Sequence, residues 1–151
     1  MEAQAHCPAC GAPQQAEATC QDHFYQMLFW EAEVPARGAV HHLAVLCYHL
    51  QHPSLYSPEG LQAALRLLVM FVEQGVPPHT ARQQMAADLQ NHTIKIGGTA
   101  DSFGQYAQPI NWTFRAADVI NNGADRYCES MRGWATAMLH DLRMSGNLPT
   151  A

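Results

Sequence analysis

Two cysteines separated by two residues form the pair whose chemistry is easiest to infer from this sequence. The segment CPACG at residues 7–11 has the spacing of a zinc knuckle, in which both thiolates face one metal ion. Gly11 permits the tight turn that points backbone N–H groups at the sulfur atoms. The alternative chemistry for a CxxC pair is a redox dithiol, which usually lies between a strand and a helix. No strand-like segment precedes Cys7, so we predict a metal site, with zinc as the ion that thiolate and imidazole ligands favour.

A histidine-rich stretch lies in the first half of the chain. Residues 41–53, HHLAVLCYHLQHP, contain four of the nine histidines. Apolar residues recur there at steps of three and four, which predicts a helix over 40–52 that ends before Pro53. In a continuous helix His41 and His52 lie about 16 Å apart along the axis, too far to bind the same ion. Taken one at a time, these histidines are more typical of ordinary surface or hydrogen-bonded helix residues than of metal ligands.

The packing of two helical segments supplies the missing ligands. The segments 20–32 and 40–52 are similar in length, and an antiparallel hairpin would bring the start of the first beside the end of the second. Cys20, the first residue of its segment, would then lie next to His52. The predicted metal ligands are Cys7, Cys10, Cys20 and His52.

The fourth ligand has competitors. Cys20-Gln-Asp-His23 completes a CxxC…CxxH pattern, and His23 would lie one turn into the helix on the same side as Cys20. His49 and His41 are weaker candidates. In a further alternative, Cys20 is a small buried residue and the knuckle holds no metal. Cys47 and Cys128 lie among apolar residues in the middle of helices, which is typical of core thiols.

The remaining elements are also helical, and no strand signal is of convincing length. Thr19 or Asp22 is expected to cap the first helix, Ser57-Pro58-Glu59 to open the third, and Gly75 to end it. The expected helices cover residues 20–32, 40–52, 58–75, 80–90, 116–121 and 124–144. The last of them has a stripe typical of a core, formed by Tyr127, Met131, Trp134, Met138 and Leu142. The predicted fold class is all-α, an irregular bundle of four longer and two lesser helices with an N-terminal zinc-knuckle arm.

The length of 151 residues predicts a single domain. Within it we expect four parts, namely a knuckle arm at 1–19, a helical core at 20–92, an irregular loop at 93–111 and C-terminal helices at 112–151. Gly97-Gly98 in the loop is not a P-loop, because no GKS or GKT follows it.

Composition and charge argue against two classes of partner, nucleic acids and membranes. The formal net charge is −5 and only 14% of residues are charged, with Lys95 as the single lysine. A nucleic-acid partner is not expected, because phosphate contacts need a basic face. A membrane is not expected either, since no apolar run reaches the length of a span. The oligomeric state stays open, because the helix stripes contain no obvious dimer seam.

The cysteines predict the compartment. An odd number, five, with one close pair fits a metal site in a reducing cytoplasm better than a disulfide framework. The first twenty residues are polar and lack the apolar core of a signal peptide. We therefore expect a cytoplasmic protein.

These motifs together resemble a bacterial domain-of-unknown-function family. The matching residues are CPACG at 7–11, Cys20, His41, Leu43, Val45, Tyr48 and QHP at 51–53. Closer relatives are also similar at SLYSPEGL (54–61), WTFRAADV (112–119) and WA (134–135). The resemblance implies a bacterial cytoplasmic protein and brings no established activity. In that family the QHP segment recurs, whereas the position of His23 is often not histidine, which favours His52 as the fourth ligand.

A structural zinc site is the function that the ligand set favours. A closed Cys₃His site has no open position, so the metal would contribute to folding by fixing the N-terminal arm to the first helical hairpin. The role of the protein would then be binding, at a surface formed elsewhere. The expected surface is where Tyr48, Gln51, Trp112 and Asp118 converge, with a structural role for Trp112 as an equally good interpretation.

A metal-dependent hydrolase or transferase of the helical-bundle type is the alternative. If one cysteine were not a ligand, the ion would keep a water that it could activate. His41 or His49 could then act as the base and Asp118 could orient it. No HExxH or GxSxG motif supports this function, and a sulfur-rich ligand set suits a structural metal better. Cys47 as a nucleophile is a weaker hypothesis still.

Overall fold

Helices dominate the part of the chain that the computed structural model describes, which is residues 5–14, 19–88 and 95–150. The α-helices are α1 (Cys20–Glu33), α2 (His41–Gln51), α3 (Pro58–Val72), α4 (Pro78–Asp88), α5 (Ala116–Asn122) and α6 (Tyr127–Met144). Short 3-10 helices cover Pro35–Val40, Pro53–Leu55 and Ala124–Arg126. The predicted all-α class is confirmed. Within the described ranges, no helix combines the length and the apolar character that crossing a bilayer requires.

A short hairpin precedes the helices. The strands β1 (Ala5–His6) and β2 (Pro13–Gln14) have two residues each and pair antiparallel. Strands of this length are too short to produce a periodic sequence signal. Their pairing closes the loop that contains both knuckle cysteines.

Helix α1 begins where its capping residues require. The Thr19 side chain accepts a hydrogen bond from the backbone N–H of Asp22, and the Asp22 carboxylate accepts one from the backbone N–H of Thr19 at 2.9 Å. This reciprocal capping box fixes the first turn. Cys20 therefore stands at the first position of α1, where the positive end of the helix dipole favours a thiolate.

Helices α1 and α2 form the antiparallel hairpin that the sequence predicts. At one end the rings of Phe24 and Tyr48 stack with centroids 4.5 Å apart. At the other end Nδ1 of His41 lies 2.6 Å from a carboxylate oxygen of Glu31. The start of α1 therefore lies beside the end of α2, and this places Cys20 near His52.

Helices α3 and α6 complete the core. Ser57 caps α3 by accepting a hydrogen bond from the backbone N–H of Gly60 at 2.9 Å, as the Ser-Pro-Glu start predicts. Helix α3 ends at Val72, earlier than the predicted Gly75, although Gly75 does adopt a positive φ of 64°. The α6 stripe is buried as expected, at Tyr127, Met131, Trp134, Met138 and Leu142.

The described part of the irregular loop, residues 95–111, packs against the start of α3. The backbone N–H of Ser57 donates to the Ile96 carbonyl at 2.7 Å, and that of Gly98 donates to the Leu55 carbonyl at 3.0 Å. A Cβ atom on Gly60 would lie 2.4 Å from the Ile96 carbonyl oxygen, a distance that backbone atoms do not tolerate. The loop can approach α3 this closely only because residue 60 has no side chain.

The substitution Gly60→Ala is therefore expected to destabilise the protein by roughly 2 kcal/mol or more, because α3 and residues 95–98 must separate. Gly133→Ala is the matched control, since Gly133 also lies inside a helix and its added Cβ would meet only Phe114 at 3.9 Å. Gly133→Ala should raise the free energy of unfolding by about 0.5–1 kcal/mol, because alanine favours a helix over glycine by this amount. Urea unfolding of both variants measures the two effects. Equal effects of the same sign would contradict the close approach at Gly60.

Candidate metal centre

Four side chains from three separate elements meet at the open end of the α1–α2 hairpin. Cys7 and Cys10 come from the knuckle, Cys20 from the start of α1, and His52 from the residue after α2. Their ligand atoms all lie within 4.8 Å of one another. The structure thus brings together the four residues that the sequence singles out.

The spacing of these donors fits one tetrahedral ion. With metal–sulfur bonds of about 2.3 Å and metal–nitrogen bonds of about 2.0 Å, tetrahedral geometry requires S–S separations of about 3.8 Å and S–N separations of about 3.6 Å. The Sγ atoms of Cys10 and Cys20 are 3.6 Å apart, and Sγ of Cys7 is 3.6 Å from Nε2 of His52. The cluster can therefore bind a metal ion.

The turn of the knuckle orients the two N-terminal sulfur atoms. The backbone N–H of Gly11 donates to the Cys7 carbonyl and that of Cys7 donates to the Ala12 carbonyl, both at 2.8 Å. Gly11 has a φ of 78°, which an L side chain rarely adopts. These bonds fold the segment on itself, and both Cys7 and Cys10 become buried.

A backbone hydrogen bond orients the imidazole of His52. Nδ1 of His52 lies 2.6 Å from the carbonyl oxygen of Tyr48, so this nitrogen is the N–H donor. Nε2 is then the nitrogen that points at the sulfur atoms and whose lone pair a metal ion would take. The Tyr48 ring also packs against the His52 ring, with centroids 4.5 Å apart. Such a fixed tautomer is what a metal-ligating histidine needs.

The ionisable groups of the cluster shift one another's pKa values, and a bound cation would stabilise their thiolate forms. A hydrogen bond with Cys20 lowers the pKa of the Cys10 thiol to about 4. The same bond, together with burial and the charges of the other two cysteines, raises the pKa of Cys20. Burial lowers the pKa of His52, but hydrogen bonds with Cys10 and with the Tyr48 carbonyl outweigh it and raise the value to about 9. A divalent cation would allow all three thiols to be thiolates at once.

Comparison with family models assigns the chain to a family. The model of a family of unknown function, DUF5946, matches residues 5–143. The chain belongs to this family. The match confirms the resemblance to a domain-of-unknown-function family and, in the described chain, covers the knuckle, α1 to α5 and all of α6 except Met144. No curated protein and no solved structure matches the chain.

The competing histidines of this DUF5946 member lie outside the cluster. His23 is half-buried on α1 and is not among the four grouped residues. Nδ1 of His49 bonds the Val45 carbonyl at 2.7 Å, and its ring packs on Tyr56. His41 is engaged with Glu31 at the far end of α2.

Asp118 does not orient a histidine, so that prediction is wrong. Its carboxylate accepts a hydrogen bond from the backbone N–H of Arg115 at 2.9 Å and so caps α5. The acid that pairs with His41 is Glu31, whose other oxygen accepts a hydrogen bond from the Tyr127 hydroxyl at 2.5 Å. The hairpin alone could have indicated Glu31, because it places the last turn of α1 opposite the first turn of α2.

The binding surface expected at Tyr48, Gln51, Trp112 and Asp118 does not form. Gln51 is completely buried and donates to the Phe114 carbonyl at 2.7 Å. Trp112 is also buried in the main core. Cys47 is fully buried too, and burial raises the pKa of its thiol, so it lacks the thiolate that a nucleophile needs. Gln51 and Trp112 therefore hold the core together instead of forming a surface.

Arg115 is a residue that the sequence does not reveal. Its Nε donates to the carbonyl oxygen of Cys10 at 2.7 Å across a separation of 105 residues. The bond fastens the knuckle to the start of α5 and fixes the backbone that carries one of the sulfur atoms. No local pattern signals a contact over this separation.

Replacing Arg115 with methionine is expected to weaken metal binding roughly tenfold, the lower end of what outer-shell partners contribute. The methionine keeps much of the aliphatic packing and removes the bond to Cys10. Arg126→Met is the control, because among the described residues the Arg126 guanidinium bonds the exposed Glu129 beside it and no residue of the cluster. Competition with a chelating dye measures both affinities. Equal affinities for the two variants would mean that Arg115 does not position the site.

Proposed function

We propose that this protein is a structural zinc protein in which Cys7, Cys10, Cys20 and His52 hold one zinc ion. The observation that carries the proposal is the set of four donors, supplied by three separate elements, whose ligand atoms lie within 4.8 Å of one another. When bound, zinc would supply a cross-link between them, and no step of chemistry is required of it. The biochemical role that this cross-link serves is not assigned by the family.

The donor types support zinc over other ions. Thiolates are soft ligands that Mg²⁺ and Ca²⁺ disfavour, and imidazole suits zinc equally well. Three sulfur atoms with one nitrogen form a common structural zinc set. A hydrogen bond from Nδ1 of His52 to a carbonyl oxygen adds the outer contact that zinc-binding histidines usually have.

The position of the donors supports a structural role. The knuckle contributes few large apolar side chains of its own, since its buried positions are Cys7, Cys10 and Ala12. A metal bond from these cysteines to α1 and α2 would replace the apolar contacts that the knuckle lacks. In the described chain, the metal would thus join residues 5–14 to the helical hairpin.

The hydrolase or transferase alternative has less support. It needs an open metal position and a nearby base, whereas four protein donors are already within reach of one ion. His41, one suggested base, lies at the other end of the continuous helix α2, about 16 Å along the axis from His52. His49, the other, has Nδ1 engaged with a backbone carbonyl.

The coordination number distinguishes the two functions. X-ray absorption of the zinc-loaded protein should give three sulfur neighbours and one nitrogen neighbour. Replacement of zinc by Co²⁺ should give the strong visible absorption of a tetrahedral thiolate complex. One or two sulfur neighbours with an oxygen from water would overturn the structural proposal and favour the hydrolase or transferase.

We also propose a cytoplasmic location. Its support is that none of the five cysteines forms a disulfide. Such thiols, three of them grouped as metal donors, persist in a reducing compartment.

A further inference from the structure

A cavity of about 590 Å³ lies on the other half of α2 from the metal centre. It opens between the turn after α1 and the helices α2, α3 and α4, and none of the four metal-site residues lines it. Its apolar walls are Val45, Leu46, Leu67 and Phe71, with the Tyr56 ring beside them. The volume lies within the range typical of small-molecule sites, about 300–1,000 Å³.

Basic side chains line this cavity. Among the described residues that line it, those with a basic side chain are His41, His42 and Arg82, and none is an aspartate or glutamate. The whole chain has 13 acidic residues against 8 lysines and arginines, so a lining without acids differs from the rest of the protein. Pro78, the first residue of α4, also lines the cavity, and the positive end of a helix dipole adds to the same potential.

The Arg82 guanidinium is available to a ligand. Its Nε lies 3.4 Å from the Pro78 carbonyl of its own helix, and within the described residues no carboxylate pairs with it. The side chain is exposed at the mouth of the cavity. A free guanidinium with a fork of N–H donors is well suited to a carboxylate.

His42 lies within the positive potential of this region. Burial lowers its pKa, and the charges of Arg82, His41 and Arg132 lower it further. Arg132 lines a neighbouring cavity of about 280 Å³ that also includes His42. The His42 ring meets the edge of Phe71, with centroids 4.7 Å apart. A basic group and an apolar wall therefore adjoin within the same cavity.

A largely buried carboxylate fixes the orientation of the His41 ring. Its Nδ1 lies 2.6 Å from Glu31, whose side chain is only 9% exposed, whereas the His41 side chain is 52% exposed. Glu31 also accepts a hydrogen bond from the Tyr127 hydroxyl, and this bond fixes the position of the Glu31 carboxylate. Because Nδ1–H is engaged by the Glu31 carboxylate, the donor left for an anionic ligand is the Nε2–H of the imidazolium form.

We propose that this cavity binds a small organic monoanion, a carboxylate with an apolar body, whose charged end meets Arg82 and His41. The apolar walls contact the apolar body of the ligand, and the basic side chains at the mouth bind its carboxylate. Arg82 is the one side chain in the described lining that is positively charged at every physiological pH. The site therefore matches a ligand with one negative charge and not a polyphosphate. The site is separate from the metal centre, so it does not depend on the zinc proposal.

Octanoate, octanol and octylamine form a test series, because they share a chain and differ in the charge of the head group. Two-dimensional NMR titration of the 151-residue protein as purified measures affinity and locates binding. Octanoate is expected to bind at least tenfold more tightly than octanol, with the largest shifts at Val45, Leu46 and Phe71, and octylamine should bind least.

Arg82→Gln should weaken octanoate binding about tenfold and leave octanol unchanged, because only the charged contact is removed. Arg82 is exposed, so the variant is expected to fold, and its NMR spectrum reports this directly. Arg126→Gln is the matched control, since Arg126 is exposed and does not line the cavity. Equal affinities for the three probes, shifts confined to another region, no octanoate binding at all, or full affinity in Arg82→Gln would each overturn the proposal.

Discussion

Removal of the metal by a strong chelator is expected to lower the melting temperature of the protein by about 10 °C. A ligand present at about a thousand times its Kd contributes roughly 4 kcal/mol to folding. For a chain of this size, each kcal/mol shifts the melting temperature by about 2–4 °C. The loss should be greatest in the knuckle, because under the proposed structural role the metal would hold residues 5–14 against α1 and α2. Calorimetry with and without chelator measures the shift.

Hydrogen exchange shows where the stability is lost. The backbone amides of Cys7 and Gly11 donate within the knuckle turn and should lose protection when the metal is removed. Amides in the middle of α6 should keep most of theirs, since that helix is anchored by its buried stripe. The double variant Cys7→Ser/Cys10→Ser is the control, and chelator should leave its melting temperature unchanged. An unchanged melting temperature in wild-type protein shown to be free of metal would contradict the structural role.

Loss of a single ligand is expected to weaken metal binding more than about a hundredfold, because even outer-shell partners contribute about 10- to 100-fold. Cys20→Ser and His52→Ala should both show it, since each removes one of four donors at the same ion. Acid should weaken binding in the wild type as well, because protons compete for thiolates and imidazole. Competition with a chelating dye over a range of pH measures the affinities.

His23→Ala is the matched control for His52→Ala. The same residue type is removed, and His23 lies one turn from Cys20 but outside the group of four donors. Its affinity should stay within about twofold of the wild type. A large loss in His23→Ala with little change in His52→Ala would move the fourth ligand to α1 and contradict the hairpin account.

The starts of α1 and α3 could be predicted from the sequence because their causes are local. Thr19 with Asp22, and Ser57 with Pro58, carry the hydrogen-bonding groups for the first turn within a few residues. The end of α3 was placed too late, at Gly75. The carbonyl of Val69 accepts from both Glu73 and Gln74, so the α-helical pattern stops before the glycine. A carbonyl that accepts two backbone hydrogen bonds at a helix end does not depend on particular residue types, so the sequence does not predict it.

The grouping of Cys7, Cys10, Cys20 and His52 could be predicted because a hairpin of two helices of similar length fixes which ends meet. What the sequence could not supply are contacts between distant segments. Arg115 reaches Cys10 across 105 residues, and Gln51 is buried because the Phe114 carbonyl, 63 residues away, accepts its N–H. A polar glutamine near a helix end resembles a surface residue until that partner is known. The surface proposed around it was wrong for this reason.

Elemental analysis of protein purified without added metal tests the central claim most directly. The account predicts about one zinc per chain in the wild type, bound by the four donors at the end of the α1–α2 hairpin. Protein that is folded and monodisperse yet contains no zinc, and that takes up none when zinc is added, would contradict it.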